Sequence, residues 1–373
     1  MTFSEKIKDN KFLVFALLFT LLNMGAVFLI FGFQEYGDTT GYLEVINWLE
    51  GEDVQVSSFR VLRPLGPVIA LPFEFFGEGA GLIVQNAIFY LLCAFLIFKI
   101  TELVYHNKKQ AFFASLFFVT ATSVIEVGLA YLTDTGAWFF YLLSIFLTLL
   151  YLKNKDKKLI VLNGLVSGIG FLMKENGALG ILFFGLIILI SNDFNVKEKI
   201  SKLLNFLVFF LIPILALQFF TYYYFHFTTL DWYILHLNES FNEGFVLTSL
   251  RYFGQLFRTL GLLWIFFFVG LWRELKEKNW GRIKIFLALL PSSLSFFFWP
   301  TSGGGRVVFI FAPLGILLAT YGLSFLENKL GKKRGALFIT ALFLAVLFLN
   351  YWFCLVNPSV SFLNKIVEFL GIL

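Results

Sequence analysis

An acidic residue and two arginines lie between the first long apolar segment of the chain and the next. Asp38 is found in GDTTGY, and Arg60 and Arg63 are found in FRVLRP. A carboxylate can take a proton from a hydroxyl group as a general base, and the planar guanidinium of arginine suits a phosphate. These residue types predict chemistry on a phosphate-bearing molecule. The plainer alternatives are that Asp38 caps a helix and that an arginine pairs with a loop acid such as Glu74.

Four more charged residues interrupt apolar sequence. They are Asp134 in LAYLTDTGA, Lys174 and Glu175 in FLMKENGALG, and Arg306 in SGGGRVVF. Carboxylates are costly when they face lipid, so Asp134 is predicted either to face a wet cavity or to cap a helix. Lys174 either pairs with Glu175 or holds a phosphate that Glu175 orients. Arg306, at a glycine-rich helix start, predicts an anion site.

The remaining candidate ligands show no metal-binding pattern. His236 lies in a long polar loop and is a candidate to face the same cavity, but the histidines lack zinc-binding spacing. Cys93 and Cys354 fall in apolar runs, where they are expected to pack as small hydrophobic residues.

The composition identifies the elements that must position these residues. Of 373 residues, 59% are hydrophobic and only 14% are charged, which indicates an all-α integral membrane protein and gives no sign of nucleic-acid binding. Long apolar runs predict about 11 transmembrane helices. The predicted helices are 12–33, 81–100, 111–128, 136–152, 159–173, 177–190, 203–223, 254–272, 285–299, 307–325 and 336–355.

The distribution of positive charge predicts the orientation. Nearly all lysines fall in alternate loops, on the side of the N-terminus, and the positive-inside rule makes that side cytoplasmic. The C-terminus is then expected outside. Arg60, Arg63, Arg251, Arg258 and Arg306 fall on the outer side, where topology disfavours positive charge. We interpret this asymmetry as a sign of phosphate binding outside the membrane.

The longest loops are also predicted on the outer side, at 34–80 and 224–253. In the first, Tyr42 and Leu49 belong to an apolar stripe at helical spacing, which predicts a helix lying in the membrane interface. We expect one membrane domain over residues 1–373, with no separate soluble domain.

This arrangement resembles the GT-C superfamily of polytopic glycosyltransferases, which use sugars linked to polyprenyl phosphate. The topology is similar to the membrane portion of protein O-mannosyltransferases and of bacterial transferases that modify lipid A or oligosaccharide cores. The residues that carry the resemblance are Asp38 with Tyr42 after the first helix, Asp134 before the fourth, Lys174 and Glu175 between the fifth and sixth, and Arg306 at a late helix start.

The resemblance implies an inverting sugar transfer at the outer membrane face, within the cell envelope. Asp38 would be the catalytic base, with Asp134 also in the catalytic centre. The groups implied to bind the donor phosphate are Arg60, Arg63, Lys174 and Arg306, supported by Tyr42, Glu175 and His236. Many relatives carry an Asp-Glu pair, whereas Thr39 follows Asp38. No metal ligand is therefore assigned, and a divalent metal stays an open alternative.

Two other functions remain open alternatives. A transporter or flippase of lipid-linked sugars would bind near the bilayer midplane, often between repeated halves, whereas these charges lie at helix ends and no repeat is visible. A polysaccharide polymerase or ligase would use the same arginine chemistry. The acceptor, whether glycan, lipid or protein, and the sugar itself are left open.

Overall fold

The computed structural model describes residues 10–54, 56, 60–240, 245–298 and 305–356. These residues form α-helices and short 3-10 helices, and the described part of the chain contains no strand, so the all-α prediction is confirmed. The α-helices are α1 (Lys11–Phe31), α2 (Thr39–Leu49), α3 (Leu65–Ala70), α4 (Ala80–Tyr105), α5 (Lys108–Val119), α6 (Thr122–Val127), α7 (Asp134–Asn154), α8 (Lys158–Met173), α9 (Gly180–Ile190), α10 (Val196–Phe225), α11 (Thr229–Ser240), α12 (Phe245–Leu260), α13 (Leu263–Glu277), α14 (Trp280–Leu294), α15 (Gly305–Val308), α16 (Ala312–Leu330) and α17 (Lys332–Val356).

The chain is a multi-pass membrane protein, but the predicted count of about 11 spans is not confirmed. Among the described residues, 6 helices are long and apolar enough to cross a membrane, or up to 7 if one bent pair is a single span. The long helices are α1, α4, α7, α10, Gly305–Leu330 and Lys333–Val356. Shorter apolar helices make up Leu65–Phe76, Lys158–Met173 and Glu175–Ile190.

The count differs because helices break inside continuous apolar sequence. The run predicted at 111–128 is divided between α5 and α6 at Thr120 and Ala121. The run at 254–272 bends by 85° between α12 and α13. Gly261 at that bend has a φ of +50°, a conformation that glycine adopts readily. Apolar composition predicts burial in lipid or protein, but it does not predict where a helix bends.

The helix predicted in the first long loop is present as α2, and its apolar stripe packs on protein. Its place in the membrane interface stays a prediction. Tyr42, Val45 and Ile46 are each almost completely buried, and Tyr42 and Ile46 join the main hydrophobic core. A stripe at helical spacing marks a buried face without saying what covers it. The described neighbours of α2 cover its apolar stripe. This packing holds α2 in one position beside the other helices.

Hydrogen bonds join the turn before α7 to α4 and to the start of α2, and both the turn and the start of α2 adjoin candidate residues. Asn86 on α4 donates to the carbonyl oxygens of Ala130 and Leu132, at 2.6 and 2.8 Å. Thr39, at the start of α2, donates to the carbonyl oxygen of Tyr131 at 3.2 Å. The turn before α7 therefore contacts both α4 and the start of α2, which places the residues after α1 next to Asp134.

The chain reverses between α8 and α9, in the short gap predicted between the fifth and sixth helices. A Cβ added to Gly170 would lie 2.6 Å from the carbonyl oxygen of Gly177, so the two backbones touch. Only glycine allows such an approach without displacement. Lys174 and Glu175 lie within this reversal, and their side chains leave the hairpin in different directions.

Candidate active site

Asp38 holds two arginines that come from distant parts of the chain. Its Oδ1 accepts from Nη2 of Arg60 at 2.5 Å, and its Oδ2 accepts from Nη2 of Arg306 at 2.6 Å. Asp38 occupies the N-cap position of α2, yet its side chain makes no capping hydrogen bond. The capping alternative is therefore wrong, and this carboxylate interacts with cations instead.

The electrostatic surroundings of Asp38 favour its ionised form. Burial acts to raise the pKa of the carboxyl, but the guanidiniums of Arg306 and Arg60 outweigh burial and lower the pKa below its ordinary value. The side chain keeps 21% of its surface exposed, so a small molecule can still reach it. Asp38 is thus an accessible carboxylate between two cations.

Arg60 reaches Asp38 across α2. Its guanidinium carbon lies 5.0 Å from the centre of the Tyr42 ring, within the range of a cation–π contact. Its aliphatic stem passes over Gly41, where an added Cβ would lie 2.7 Å from Cγ of Arg60. The small residue at position 41 therefore makes room for the arginine that binds Asp38.

Arg63 pairs with Glu175 in a two-pronged salt bridge. Nε donates to Oε1 at 3.0 Å, and Nη2 lies 2.9 Å from Oε2. Both side chains are largely buried, and the pair joins the segment before α3 to the turn after α8. The guanidinium carbon also lies 5.5 Å from the ring centre of Trp232 on α11. Arg63 thus ties three separate elements together.

Lys174 and Asp134 form a fully buried ion pair. Nζ of Lys174 donates to Oδ1 of Asp134 at 2.7 Å, and the two side chains are 3% and 1% exposed. Oδ2 of Asp134 is buried and has no hydrogen-bond partner in the described part of the chain. Asp134 is the first residue of α7, where no side-chain cap is formed. The capping alternative is wrong for this residue as well.

Tyr42 lies between the Asp38–Arg60 pair and the Lys174–Asp134 pair. Thr133, next to Asp134, donates from its hydroxyl to the hydroxyl of Tyr42 at 2.8 Å. Burial acts to raise the pKa of Tyr42, but the surrounding cations Arg63, Lys174 and Arg60 lower it below its ordinary value. A buried phenol surrounded by cations indicates that positive charge is concentrated at this point.

One of the predicted pairings is wrong. Lys174 does not pair with its neighbour Glu175, because each takes a partner from another element. Glu74 accepts from the backbone N–H groups of Gly79 and Gly81. The expectation that an arginine pairs with a loop acid is met by Glu175 instead. Adjacent residues point apart at a chain reversal, so proximity in sequence is a poor guide to pairing there.

Other predicted features lie partly outside the described structure. The side chain of His236 is outside the described part of the chain, although its backbone belongs to α11. The glycines before Gly305 are also outside it, so the predicted anion cradle stays a prediction. No group of three or more metal-ligating residues occurs among the described residues. Asp38, Asp134 and Glu175 each bind a cationic side chain.

A further carboxylate–arginine pair beside this cluster was not assigned to the site from sequence. Glu126 on α6 forms a salt bridge with Arg258 on α12. Tyr36 donates to the backbone oxygen of Glu126 at 3.2 Å, and its ring lies 6.0 Å from the guanidinium of Arg306. The unusual placement of Arg258 among apolar residues was the available signal. Its partner could not be identified without the helix packing.

Two matches with known proteins bear on the site and the fold. Residues 67–218, less than half of the chain, match the family model described as dolichyl-phosphate-mannose-protein mannosyltransferase. The chain is also similar to the crystal structure of the Archaeoglobus fulgidus oligosaccharyltransferase in complex with Zn and sulfate. That match has a TM-score of 0.55 and 17% identity, and it covers 93% of this chain and 53% of the other. No curated protein matches the sequence.

These matches bear on the fold and on part of the chain. The structural likeness shows the fold, and the family model covers the segment that contains Asp134 and Lys174. Together they support a GT-C membrane glycosyltransferase, in agreement with the resemblance seen in the sequence. The chain spans about half the length of the oligosaccharyltransferase that it resembles.

Proposed function

We propose that the protein moves a sugar from a polyprenyl-phosphate-linked donor to a hydroxyl group of an acceptor, with inversion at the anomeric carbon. The reaction takes place at the outer membrane face, as the distribution of lysines predicts. The acceptor oxygen attacks the anomeric carbon and gives its proton to Asp38. The bond between that carbon and the phosphate oxygen breaks, and polyprenyl phosphate leaves.

The observation that carries this proposal is the contact of one accessible carboxylate with two arginines. Arg60 and Arg306 each place a guanidinium within 2.6 Å of Asp38. The proposed base therefore lies next to two guanidinium groups that can bind phosphate, as an attack on a sugar phosphate requires. Positioned cations also stabilise the charge that grows on the leaving phosphate.

The charge balance of the site suits a donor with a single negative charge. Arg60, Arg306, Arg63 and Lys174 contribute four positive charges, and Asp38, Asp134 and Glu175 contribute three negative ones, which leaves one positive charge. A sugar linked through one phosphate is a phosphodiester and carries one negative charge. We therefore favour a monophosphate-linked donor over a diphosphate-linked one.

Donor binding would also activate the base. While Asp38 holds both guanidiniums, its pKa is low and it is a weak proton acceptor. A donor phosphate that binds Arg60 and Arg306 takes over part of this interaction. The pKa of Asp38 then rises, and the carboxylate becomes free to bind the acceptor hydroxyl only when a donor is present.

This coupling predicts two different pH profiles. In the free enzyme, the pKa of Asp38 lies below the ordinary value of about 3.9, so Asp38 is ionised at any higher pH. The acid limb that Asp38 contributes to kcat/KM, which reports the free enzyme, should lie below about pH 4. The acid limb of kcat, which reports the complex, should lie at higher pH. Coincident limbs in steady-state assays would argue against donor-dependent activation.

The function itself is tested by product formation. Purified protein is incubated with a synthetic polyprenyl-phosphate sugar and with extracts that supply glycan, lipid or protein acceptors. We expect the release of free polyprenyl phosphate, measured by mass spectrometry, to depend on the acceptor. A transporter would move the intact donor across proteoliposomes without releasing polyprenyl phosphate, and that result would refute transfer.

A further inference from the structure

A cavity lies at the end of the helix bundle opposite to Asp134. It is lined by Lys99 and Glu102 near the end of α4, by Lys108 at the start of α5, and by Lys153 in the last turn of α7. Asp134 begins α7 and Lys153 lies nineteen residues later, so at about 1.5 Å per residue the two are roughly 29 Å apart. The cavity is thus about one hydrocarbon thickness away from the proposed active site.

The wall of this cavity is positively charged. Lys99, Lys108 and Lys153 are the lysines of the lining, and Glu102 is the one acidic residue that lines it. Lys99 forms a salt bridge with Glu102 at 2.8 Å, and this contact holds its ammonium at the cavity wall. A positively charged wall of this kind favours an anionic group.

Part of the cavity lining is apolar, which separates it from a simple anion site. Leu103, Phe146 and Leu150 line it together with the lysines. The cavity volume is about 490 Å³, more than ten times the share of one water molecule, which is about 30 Å³. A free phosphate would leave the apolar lining residues without a partner. A lipid would place its phosphate against the lysines and its glycerol and first methylenes against the apolar residues.

We propose that this cavity binds the headgroup of an anionic phospholipid, with its phosphate held by Lys99, Lys108 and Lys153. Basic cavities between transmembrane helices are suited to such headgroups. The bound lipid would contact the ends of α4, α5 and α7 and hold them together. This inference concerns a second site and does not depend on the reaction proposed above.

The test measures lipid binding to the full-length protein in detergent by native mass spectrometry. Phosphatidic acid and phosphatidylcholine with the same acyl chains are added in equal amounts. The cavity variant combines Lys99→Gln, Lys108→Gln and Lys153→Gln. The control combines Lys197→Gln, Lys278→Gln and Lys329→Gln, which removes the same charge from three exposed lysines predicted on the same membrane side and outside the cavity lining.

We expect the wild type and the control to retain phosphatidic acid in preference to phosphatidylcholine. The cavity variant should lose this preference by about tenfold or more, because each lysine near a phosphate contributes to binding. Lys153→Glu alone reverses the charge of one exposed lysine and should also weaken the preference for phosphatidic acid. This variant replaces the triple variant if the triple variant does not fold. An unchanged preference in the cavity variant would overturn the proposal, and so would an equal loss in the control. Displacement of the lipid by millimolar inorganic phosphate would instead identify a soluble-anion site and also overturn it.

Discussion

Asp38→Asn should lower the rate of sugar transfer by about 10²–10⁴-fold, the range expected when a general base is removed. The amide keeps the size of the side chain but cannot take the acceptor proton. Donor binding should be retained or tightened, because Arg60 and Arg306 lose the carboxylate that competes with phosphate for them. The measurements are transfer by mass spectrometry and donor affinity by a lipid-binding titration.

Glu35→Gln is the matched control for this substitution. Glu35 is an exposed acid in the same segment as Asp38, so the same acid-to-amide change there should leave transfer near the wild-type rate. Transfer that persists in Asp38→Asn would exclude Asp38 as the base. A parallel loss of donor binding and transfer would instead assign Asp38 to the placement of the arginines.

Lys174→Met should destabilise the protein by about 3–5 kcal/mol, the usual cost of leaving one member of a buried ion pair without its partner. Lys174 and Asp134 are both almost fully buried, and Oδ2 of Asp134 already lacks a partner in the described part of the chain. The substitution would leave an uncompensated carboxylate at the start of α7. Thermal unfolding in detergent measures the loss.

A double variant separates stability from function. Asp134→Asn combined with Lys174→Met removes both charges, so much of the lost stability should return because no charge is left without a partner. Transfer should stay low if Lys174 stabilises the leaving phosphate. Recovery of both stability and full transfer would show that the pair has only a structural role.

The candidate residues could be recognised from sequence because charge is costly in apolar surroundings. Asp134, Lys174 and Arg306 each interrupt a long apolar stretch, and this cost makes them conspicuous without any structure. Their partners could not be predicted in the same way. Asp38 and Arg306 are 268 residues apart, and Arg63 and Glu175 are 112 apart. Such pairs depend on which helix ends meet.

The number of spans was less predictable than the class of protein. Apolar composition is enough to assign a multi-pass α-helical membrane protein, because only helices and closed barrels satisfy their backbone groups in lipid. The breaks at Ala121 and Gly261 depend on local turns and on the packing of neighbouring helices. Those interactions are absent from a count of apolar residues.

By itself the sequence determined the membrane class, the helical character of the apolar segments and the short set of charged residues that needed an explanation. These features follow from the hydrophobicity of each residue, which is known from the sequence without the packing of the helices. Only the tertiary structure decided that Asp38 lies between Arg60 and Arg306, and that Lys174 belongs to Asp134. The reason is that salt bridges act over a few ångströms, so their partners are chosen by the packing of the helices and not by the order of the chain.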